Sequence, residues 1–473
     1  MTVRFLLDGA VVELAAPDPT GTLLETLRGP LRRMGTKEGC AEGDCGACTV
    51  LVGEAVDGKV QWRAVNACIL FLPMVHGKAV MTVESLAPGG RLGPLQACMA
   101  ANGSSQCGFC TPGFVMSLHG RAIGALGSEL PVADAIAGNL CRCTGYGPIL
   151  EAGQAVPRVA QDDGAALAGL DGLAGDAMAS GVFEGRQWFV PRSSDELADV
   201  LAAHPEARII AGATDVGLWV TKGLRDLEQV VFLGDVADLK AIEETAEGLR
   251  IGAGVRYAEV HGAFERLHPD LGELVRRIGG LQVRSSATVC GNIANGSPIG
   301  DGPPALIALG AQLTLRSASG RRTMPLEEYF QGYGKQDRRA GEFVESVFVP
   351  RPGANSVVHV SKLSRRFDSD ISAVLGAFAL TVEAGAITAA RVAFGGMAAT
   401  PRRAAGCEAA LVGQPFAESA IAAAAEALKR DFSPLSDVRG SAAYRIEAAS
   451  ALLWRLWHRE QGVGVSVLDV EPC

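Results

Sequence analysis

Eight of the twelve cysteines fall into two sets of four, and their spacing constrains this chain more than any other feature. The first set is Cys40-x4-Cys45-x2-Cys48, joined by Cys68 after nineteen intervening residues. The second is Cys107-x2-Cys110, joined after thirty residues by Cys141-x-Cys143. Cys40 to Cys48 lie in the run Glu38-Gly39-Cys40-Ala41-Glu42-Gly43-Asp44-Cys45-Gly46-Ala47-Cys48. Its glycines let backbone N–H groups turn toward a charged centre without steric cost. A fold that serves these cysteines must bring each set of four thiolates to one place.

The first spacing is that of plant-type ferredoxin loops, which supply three thiolates and receive a fourth from further along. Cys-x2-Cys pairs also occur in zinc sites and redox dithiols, but zinc sites favour two pairs with two to four residues between ligands. A Cys-x4-Cys-x2-Cys loop and a Cys-x-Cys pair fit that poorly. The reading is two iron–sulfur clusters, and the alternative is a colourless zinc-stabilised binding module. Cys98, Cys290, Cys407 and Cys473 read as core or surface thiols.

The remaining composition describes a globular enzyme of about three domains, with 48% hydrophobic residues to fill their cores. A net charge of -9 argues against nucleic acid as a partner. No apolar run approaches the ~20 residues of a membrane span, so no membrane partner is expected. Met1-Thr2-Val3-Arg4-Phe5 reads as a strand and not as a signal peptide. Cysteine-rich and leaderless, the chain is expected in the reducing cytoplasm.

Along the chain, Val3–Leu7 and Val11–Leu14 flank Asp8-Gly9, a hairpin signal. Leu23, Leu24, Leu27 and Leu31 predict a helix from Thr22, and strands are expected at Thr49–Val52 and Ala79–Val83. This is a ferredoxin-like β-grasp 2Fe–2S domain over 1–87. A four-helix 2Fe–2S domain follows over 88–157, with helices at Leu95–Asn102, Thr111–Ala125, Pro131–Leu140 and from Ile149. Thr111 is expected to cap its helix, and Pro112 sits where its missing N–H costs nothing. Residues 158–185, rich in Ala, Gly and Asp, read as a linker that orders against a partner.

From Trp188 an α+β domain is expected over 186–350, with a C-terminal α+β subdomain over 351–473. In the latter, Val358–Val360 and Phe378–Val382 read as strands, and Ser419–Leu428 and Ala442–Trp457 as helices. The fold class is α+β multidomain. Arg208–Ile210 runs as a strand into Ala211-Gly212-Ala213-Thr214-Asp215, a turn that offers N–H groups to a phosphate. Thr288–Asp301 is too rich in small and polar residues for a core strand. Gly252-Ala253-Gly254 lacks a third glycine, since Tyr257 stands there, so no dinucleotide fold is supported.

Cys40–Cys68, Gln106-Cys107-Gly108-Phe109-Cys110-Thr111-Pro112-Gly113 and Gly138-Asn139-Leu140-Cys141-Arg142-Cys143-Thr144-Gly145-Tyr146 together resemble the molybdenum hydroxylase family. Thr288–Asp301 resembles that family's flavin domain. Two clusters followed by flavin on one chain is similar to its xanthine dehydrogenase class, and a chain stopping at Cys473 resembles the small subunit of the bacterial members. The resemblance implies Cys40, Cys45, Cys48 and Cys68 as ligands of the cluster nearer flavin. It implies Cys107, Cys110, Cys141 and Cys143 as ligands of the cluster nearer molybdenum, with Gln106 at the pterin. FAD would be held by Ile209, Ile210, Ala211, Gly212, Ala213, Thr214, Asp215 and Val216, together with Ile278, Thr288, Asn292, Asn295, Asp301, Val344 and Lys362. Arg365–Asp370 resembles a loop that controls access for NAD, against which stands a solvated charged turn. Ala213 and Cys290 depart from the family's usual small residues, but both are small enough that flavin is still expected to bind.

The implied cofactors are two 2Fe–2S clusters and FAD, with NAD as acceptor. Molybdopterin would sit on a large partner subunit in an α2β2 heterotetramer, so no catalytic residue is expected in this chain. Oxidation of hypoxanthine and xanthine to urate is the implied reaction. An equivalent subunit acting with an aldehyde, nicotinate or other heterocycle, or an oxidase passing electrons to oxygen, are the alternatives.

Overall fold

Asp8 and Gly9 both take positive φ, 51° and 87°, the backbone of the two-residue turn whose twist matches paired strands. They join β1 (Thr2–Leu7) to β2 (Ala10–Ala15) in the antiparallel register the sequence predicts. The computed structural model describes residues 2–125, 130–173, 175 and 177–466. The chain divides into two units. The first is Met1–Leu239 with Arg256–Glu259 and Ile278–Thr288, and the second is Lys240–Val255, Val260–Arg277 and Val289–Cys473.

In the first unit, Thr22 caps α1 (Leu23–Arg28) and Glu25 reaches back to complete a capping box. The helix stops at Gly29, so Leu31 lies outside it. β3 (Thr49–Val56), β4 (Lys59–Asn66) and β5 (Ala79–Met81) complete a sheet of order β2-β1-β5-β3-β4. Its β1–β5 pair is parallel and the others antiparallel. Phe5, Leu23, Leu27, Val50 and Phe71 fill the core between sheet and helix. This is the β-grasp arrangement.

Four helices follow: α2 (Pro94–Ala101), α3 (Thr111–Ala122), α4 (Val132–Ile136) and α5 (Gly147–Ala155). Met99, Phe114, Leu118, Ile149 and Ala152 form their shared core. Two expectations are corrected. Thr111 does not cap α3, because Cys110 occupies that position and the Thr111 hydroxyl pairs instead with that of Ser105 at 2.8 Å. The third helix is a single turn and a half, because Asn139 N–H closes on the Ile136 carbonyl and the chain then extends toward Cys141.

The expected linker is also corrected. Residues Gly164–Leu173 form α6, whose Leu170 and Leu173 bury against Leu6, Leu51 and Trp62 on the sheet's other face. Trp62 Nε1 donates to Asp163 Oδ1 at 2.9 Å and fixes the start of the helix. β6 (Ala179–Phe183), β7 (Arg186–Val190), α7 (Ser194–Ala203), β8 (Arg208–Ile210), α8 (Val216–Thr221) and β9 (Gln229–Phe232) come next. Their sheet has the order β6-β7-β9-β8.

The second unit begins with β10 (Ile242–Glu244) and β11 (Gly248–Gly252). After α9 (Tyr257–Leu267) and α10 (Pro269–Arg276) comes α11 (Leu281–Arg284), a turn of helix that belongs to the first unit. α12 (Val289–Asn295) and α13 (Gly302–Ala308) precede β12 (Gln312–Ser317), β13 (Gly320–Pro325), β14 (Phe330–Gly332), β15 (Lys335–Gln336) and β16 (Phe343–Pro350). The sheet order β10-β11-β16-β12-β13 is antiparallel throughout. Gly252 therefore ends an antiparallel strand, which a dinucleotide fold does not have there.

A second antiparallel sheet combines β17 (Ser356–Leu363), β18 (Val374–Glu383), β19 (Ala386–Gly395) and β20 (Arg402–Arg403). α14 (Ala405–Leu411), α15 (Glu418–Asp431) and α16 (Ala442–Glu460) pack on it through Phe378, Phe394, Ile421, Leu428 and Leu453. Among the described residues no helix is long and apolar enough to cross a membrane.

Candidate cluster and flavin sites

The β3–β4 register sets the first cysteine site. Ala67 N–H donates to the Cys48 carbonyl at 3.2 Å, which carries Cys68 from the end of β4 to the start of β3. Cys48 and Cys68 are buried, while Cys40 and Cys45 are half-buried in the loop. The loop folds on itself through Cys45 N–H to Cys40 Sγ at 3.3 Å, Lys37 N–H to the Ala47 carbonyl at 3.2 Å and Thr49 N–H to the Gly46 carbonyl at 3.1 Å. Gly46 has φ 68°, and a Cβ there would run into the Gly138 carbonyl, so no other residue fits.

The thiols interact as a chain. Hydrogen bonds from Cys45 and Cys68 hold Cys40 below its ordinary range, and one from Cys68 holds Cys48 down against its burial. Asn66 Nδ2 adds a contact to Cys48 Sγ at 3.8 Å. The proton-bearing partners Cys45 and Cys68 move up correspondingly. A binuclear cluster takes thiolates on two irons, and paired thiols suit it.

The second set pairs Cys107 with Cys143 and Cys110 with Cys141. Burial pushes Cys110, at the start of α3, up to about 12. Burial opposes ionisation of Cys141 too, but hydrogen bonds from Thr144 outweigh it and hold that thiol low. The Thr144 hydroxyl lies 3.3 Å from Cys141 Sγ, and Cys141 N–H donates to Tyr146 Oη at 2.9 Å. Cys107, Cys143 and Phe109 are exposed, as is Gln106 beside them. A backbone hydrogen bond from Leu140 N–H to the Cys45 carbonyl, 2.9 Å, ties the two cysteine sites together.

Of the residues expected at flavin, Ile209 to Val216 run from β8 through the turn into α8. Ala213 has φ 59°, and the N–H groups of Gly212, Ala213, Thr214 and Asp215 donate to no acceptor among the described residues. Such a run of free N–H groups suits a pyrophosphate. A Cβ on Gly212 would run into the Ser286 carbonyl, so the turn lies directly on the backbone that leads to Thr288. Thr288 is buried and pairs with Arg256, and Ile278 is half-buried.

In the second unit, Asn292 and Asn295 are one helical turn apart on α12 and both half-buried. The Asn295 carbonyl accepts from Gln336 Nε2 at 3.3 Å. Asp301 leads into α13. Its Oδ2 accepts from Lys362 Nζ at 2.7 Å and its Oδ1 from Ser372 Oγ at 2.5 Å, a partner the sequence did not reveal. Val344 is buried in β16.

The Arg365–Asp370 segment is pinned. The Asp370 carboxylate accepts from Arg365 and Arg366 N–H, each at 2.9 Å. Arg277 stacks 4.6 Å over Phe367 while donating to the Phe367 and Lys362 carbonyls. Cys290 is buried with its thiol pushed up to about 12 by burial, as a core thiol. Cys407 is buried and Cys98 half-buried. Cys473 lies outside the described residues.

Comparison with known proteins bears on both sites. Residues 5–72 match the 2Fe-2S iron–sulfur cluster binding domain and 82–154 the [2Fe-2S] binding domain. Residues 182–352 match the FAD binding domain in molybdopterin dehydrogenase, and 359–459 the CO dehydrogenase flavoprotein C-terminal domain. A xanthine dehydrogenase of Emericella nidulans is 31% identical over 527 residues, covering 97% of this chain and 38% of its own length. The chain thus spans well under half of that relative. The solved CO dehydrogenase of Oligotropha carboxidovorans is 28% identical with a TM-score of 0.55, covering 61% of this chain and 100% of its own. Quinoline 2-oxidoreductase of Pseudomonas putida 86 is 28% identical with a TM-score of 0.54, covering 60% and 99%. With two 2Fe-2S domains, an FAD-binding domain and its C-terminal companion in that order, the chain belongs to the molybdenum hydroxylase family of oxidoreductases.

Proposed function

We propose that this chain is the electron-transfer part of a xanthine dehydrogenase. It takes electrons from hypoxanthine and xanthine oxidation at a molybdenum site on a partner subunit and delivers them to NAD. The observation that carries the proposal is that a relative named xanthine dehydrogenase matches 97% of this chain, both cysteine-bearing domains and the flavin domains included in that span. Cys40, Cys45, Cys48 and Cys68 hold one cluster in this reading, and Cys107, Cys110, Cys141 and Cys143 the other. In the first unit, Ile209 to Val216, Ile278 and Thr288 bind FAD; in the second, Asn292, Asn295, Asp301, Val344 and Lys362 do so.

When bound, the clusters supply single-electron transfer and FAD its conversion to two-electron chemistry with NAD. The chain's own part is to hold these groups. The free N–H groups of the Gly212 turn suit the pyrophosphate. The pinned Arg365–Asp370 segment shapes the approach of NAD, and the exposed Cys107 and Cys143 face outward, as a site that receives electrons from a partner requires. An α2β2 assembly with the molybdopterin-binding subunit is part of the same reading.

The first experiment is a visible spectrum with iron, zinc and flavin analysis. About four irons per chain with flavin absorption is the expected result, and a colourless protein holding stoichiometric zinc sinks the proposal. NADH-driven reduction of an artificial acceptor then tests the flavin end, and stopped-flow reoxidation by NAD against oxygen separates dehydrogenase from oxidase. The likeness to quinoline 2-oxidoreductase favours a second reading, an equivalent part acting with another heterocycle. Urate formation from xanthine by the copurified assembly distinguishes them.

A further inference from the structure

Gln282 on α11 is remote in sequence from every cysteine of the two sets and 1% exposed. Its Nε2 donates to Thr49 Oγ1 at 3.0 Å, to Ser117 Oγ at 3.1 Å and to Asn139 Oδ1 at 3.0 Å. Both hydroxyl protons are already committed. Thr49 Oγ1 donates to the Gly46 carbonyl at 2.6 Å and Ser117 Oγ to Asn139 Oδ1 at 2.7 Å. Both oxygens therefore act here as acceptors: the Gln282 amide donates to each, and Asn139 Nδ2 also reaches Thr49 Oγ1, at 3.4 Å. Asn139 Nδ2 also donates to the Gly46 carbonyl, at 3.1 Å.

These bonds converge on one peptide. Its carbonyl, that of Gly46, is held by Thr49 Oγ1 and by Asn139 Nδ2, and the peptide lies between Cys45 and Cys48. Next along the chain, the Cys45 carbonyl accepts from Leu140 N–H at 2.9 Å, one residue before Cys141. Gln282 Oε1 finds no donor among the described residues and lies against Gly138, where a Cβ would overlap it. A buried acceptor left unpaired is costly, and an apolar side chain of the same shape avoids that cost. It would also take the Gln282 donor away from the Thr49, Ser117 and Asn139 oxygens, so what distinguishes glutamine here is the network it joins.

We propose that Gln282 is a positioning residue for electron transfer between the two clusters. It holds the Cys45–Cys48 turn and the Asn139–Cys141 turn in one register, and through the Gly46–Ala47 peptide it fixes the backbone that presents Cys45 and Cys48. The proposal rests on the eight cysteines being cluster ligands. Hydrogen bonds to cluster sulfurs are a lever on potential, and a connected buried network transmits small displacements.

The test uses the full chain with its clusters and FAD. Wild-type protein must first show about four irons and two distinct signals in low-temperature EPR of the reduced state; failure here overturns the cluster reading itself. Gln282→Met and Thr49→Val then break the network, while Thr49→Ser keeps its hydroxyl. The first two are expected to retain iron and to change the oxidised-to-reduced ratio of one cluster, at fixed potential, by up to tenfold (59 mV for one electron). The magnetic interaction between the clusters changes with it, and Thr49→Ser behaves as wild type. Gln282→Met with full iron and unaltered potentials and spectra overturns the proposal. So does Thr49→Ser shifted as far as Thr49→Val. If Gln282→Met does not assemble, the Thr49 pair decides alone.

Discussion

Lys362→Met separates what the Lys362–Asp301 pair does for folding from what it does for flavin. The pair is 2.7 Å apart with side chains 3% and 9% exposed. Lys362 Nζ also donates to the Asp370 carbonyl at 2.7 Å. Removing one partner of a buried pair costs about 3–5 kcal/mol, because a charge is left uncompensated. Asp301 keeps its bond from Ser372, which places the expected loss near the lower end, about 3 kcal/mol, or more than a hundredfold in the local opening equilibrium. The double variant Lys362→Met/Asp301→Asn carries no buried charge, so it should recover most of that loss. FAD affinity, by contrast, should stay low in both variants if these side chains touch the cofactor. Hydrogen exchange of the β17 and β18 amides reads the first effect and flavin fluorescence titration the second. A single variant whose strands lose less than about 1 kcal/mol of protection, or a double variant as weak as the single, would refute the reasoning.

Three further outcomes are expected. Gly212→Ala forces a Cβ into the Ser286 carbonyl, and a backbone shift of about 1–3 kcal/mol should weaken FAD binding by roughly tenfold or more; an unchanged titration would place the cofactor elsewhere. Cys141→Ser should lower iron from about four to about two per chain and leave one EPR signal, whereas complete loss of iron would mean the two sites assemble as one. Burial opposes ionisation of Asp270, but hydrogen bonds from His359, Arg459 and Val360 N–H outweigh it and hold the carboxyl well below its usual range. Its stabilisation is thus full above about pH 4 and lost as pH falls through the depressed folded value. Arg459→Met raises that value, so acid loss of β17 and α10 protection should begin at higher pH than in wild type; an identical acid profile would count against this clamp.

Local chemistry made parts of the fold legible. Asp8-Gly9 announces a turn because few residues accept its backbone, and Thr22 with Glu25 marks a helix start because the two side chains satisfy each other's backbone N–H. Where a helix ends was harder to read. Leu31 continues the leucine spacing of α1, yet Gly29 has already closed the helix. The segment around Gly164–Leu173 failed for a different reason. Its Ala, Gly and Asp content signals a flexible connection, and a helix this short gains its stability from packing. That packing comes from Leu6, Leu51 and Trp62, which nothing in the segment itself reveals.

The candidate sites divide along the same line. Cluster ligands must be thiolates at spacings a loop can close, so Cys40 to Cys143 stand out without any knowledge of the fold. The residues that hold those loops obey no such restriction. Thr49, Ser117, Asn139 and Gln282 are ordinary polar residues, and Gln282 and Thr49 are 233 positions apart. Ser372, 71 residues from the Asp301 it supports, is equally silent. A ligand is chosen by the element it binds, whereas a supporting side chain is chosen by where the backbone has already placed an unpaired donor or acceptor. Glutamine suits position 282 because its amide N–H groups reach two hydroxyl oxygens whose protons are already donated elsewhere and an amide oxygen that can only accept. That condition exists only after β3, α3 and the Asn139 turn have come together, so it is invisible to any rule based on spacing.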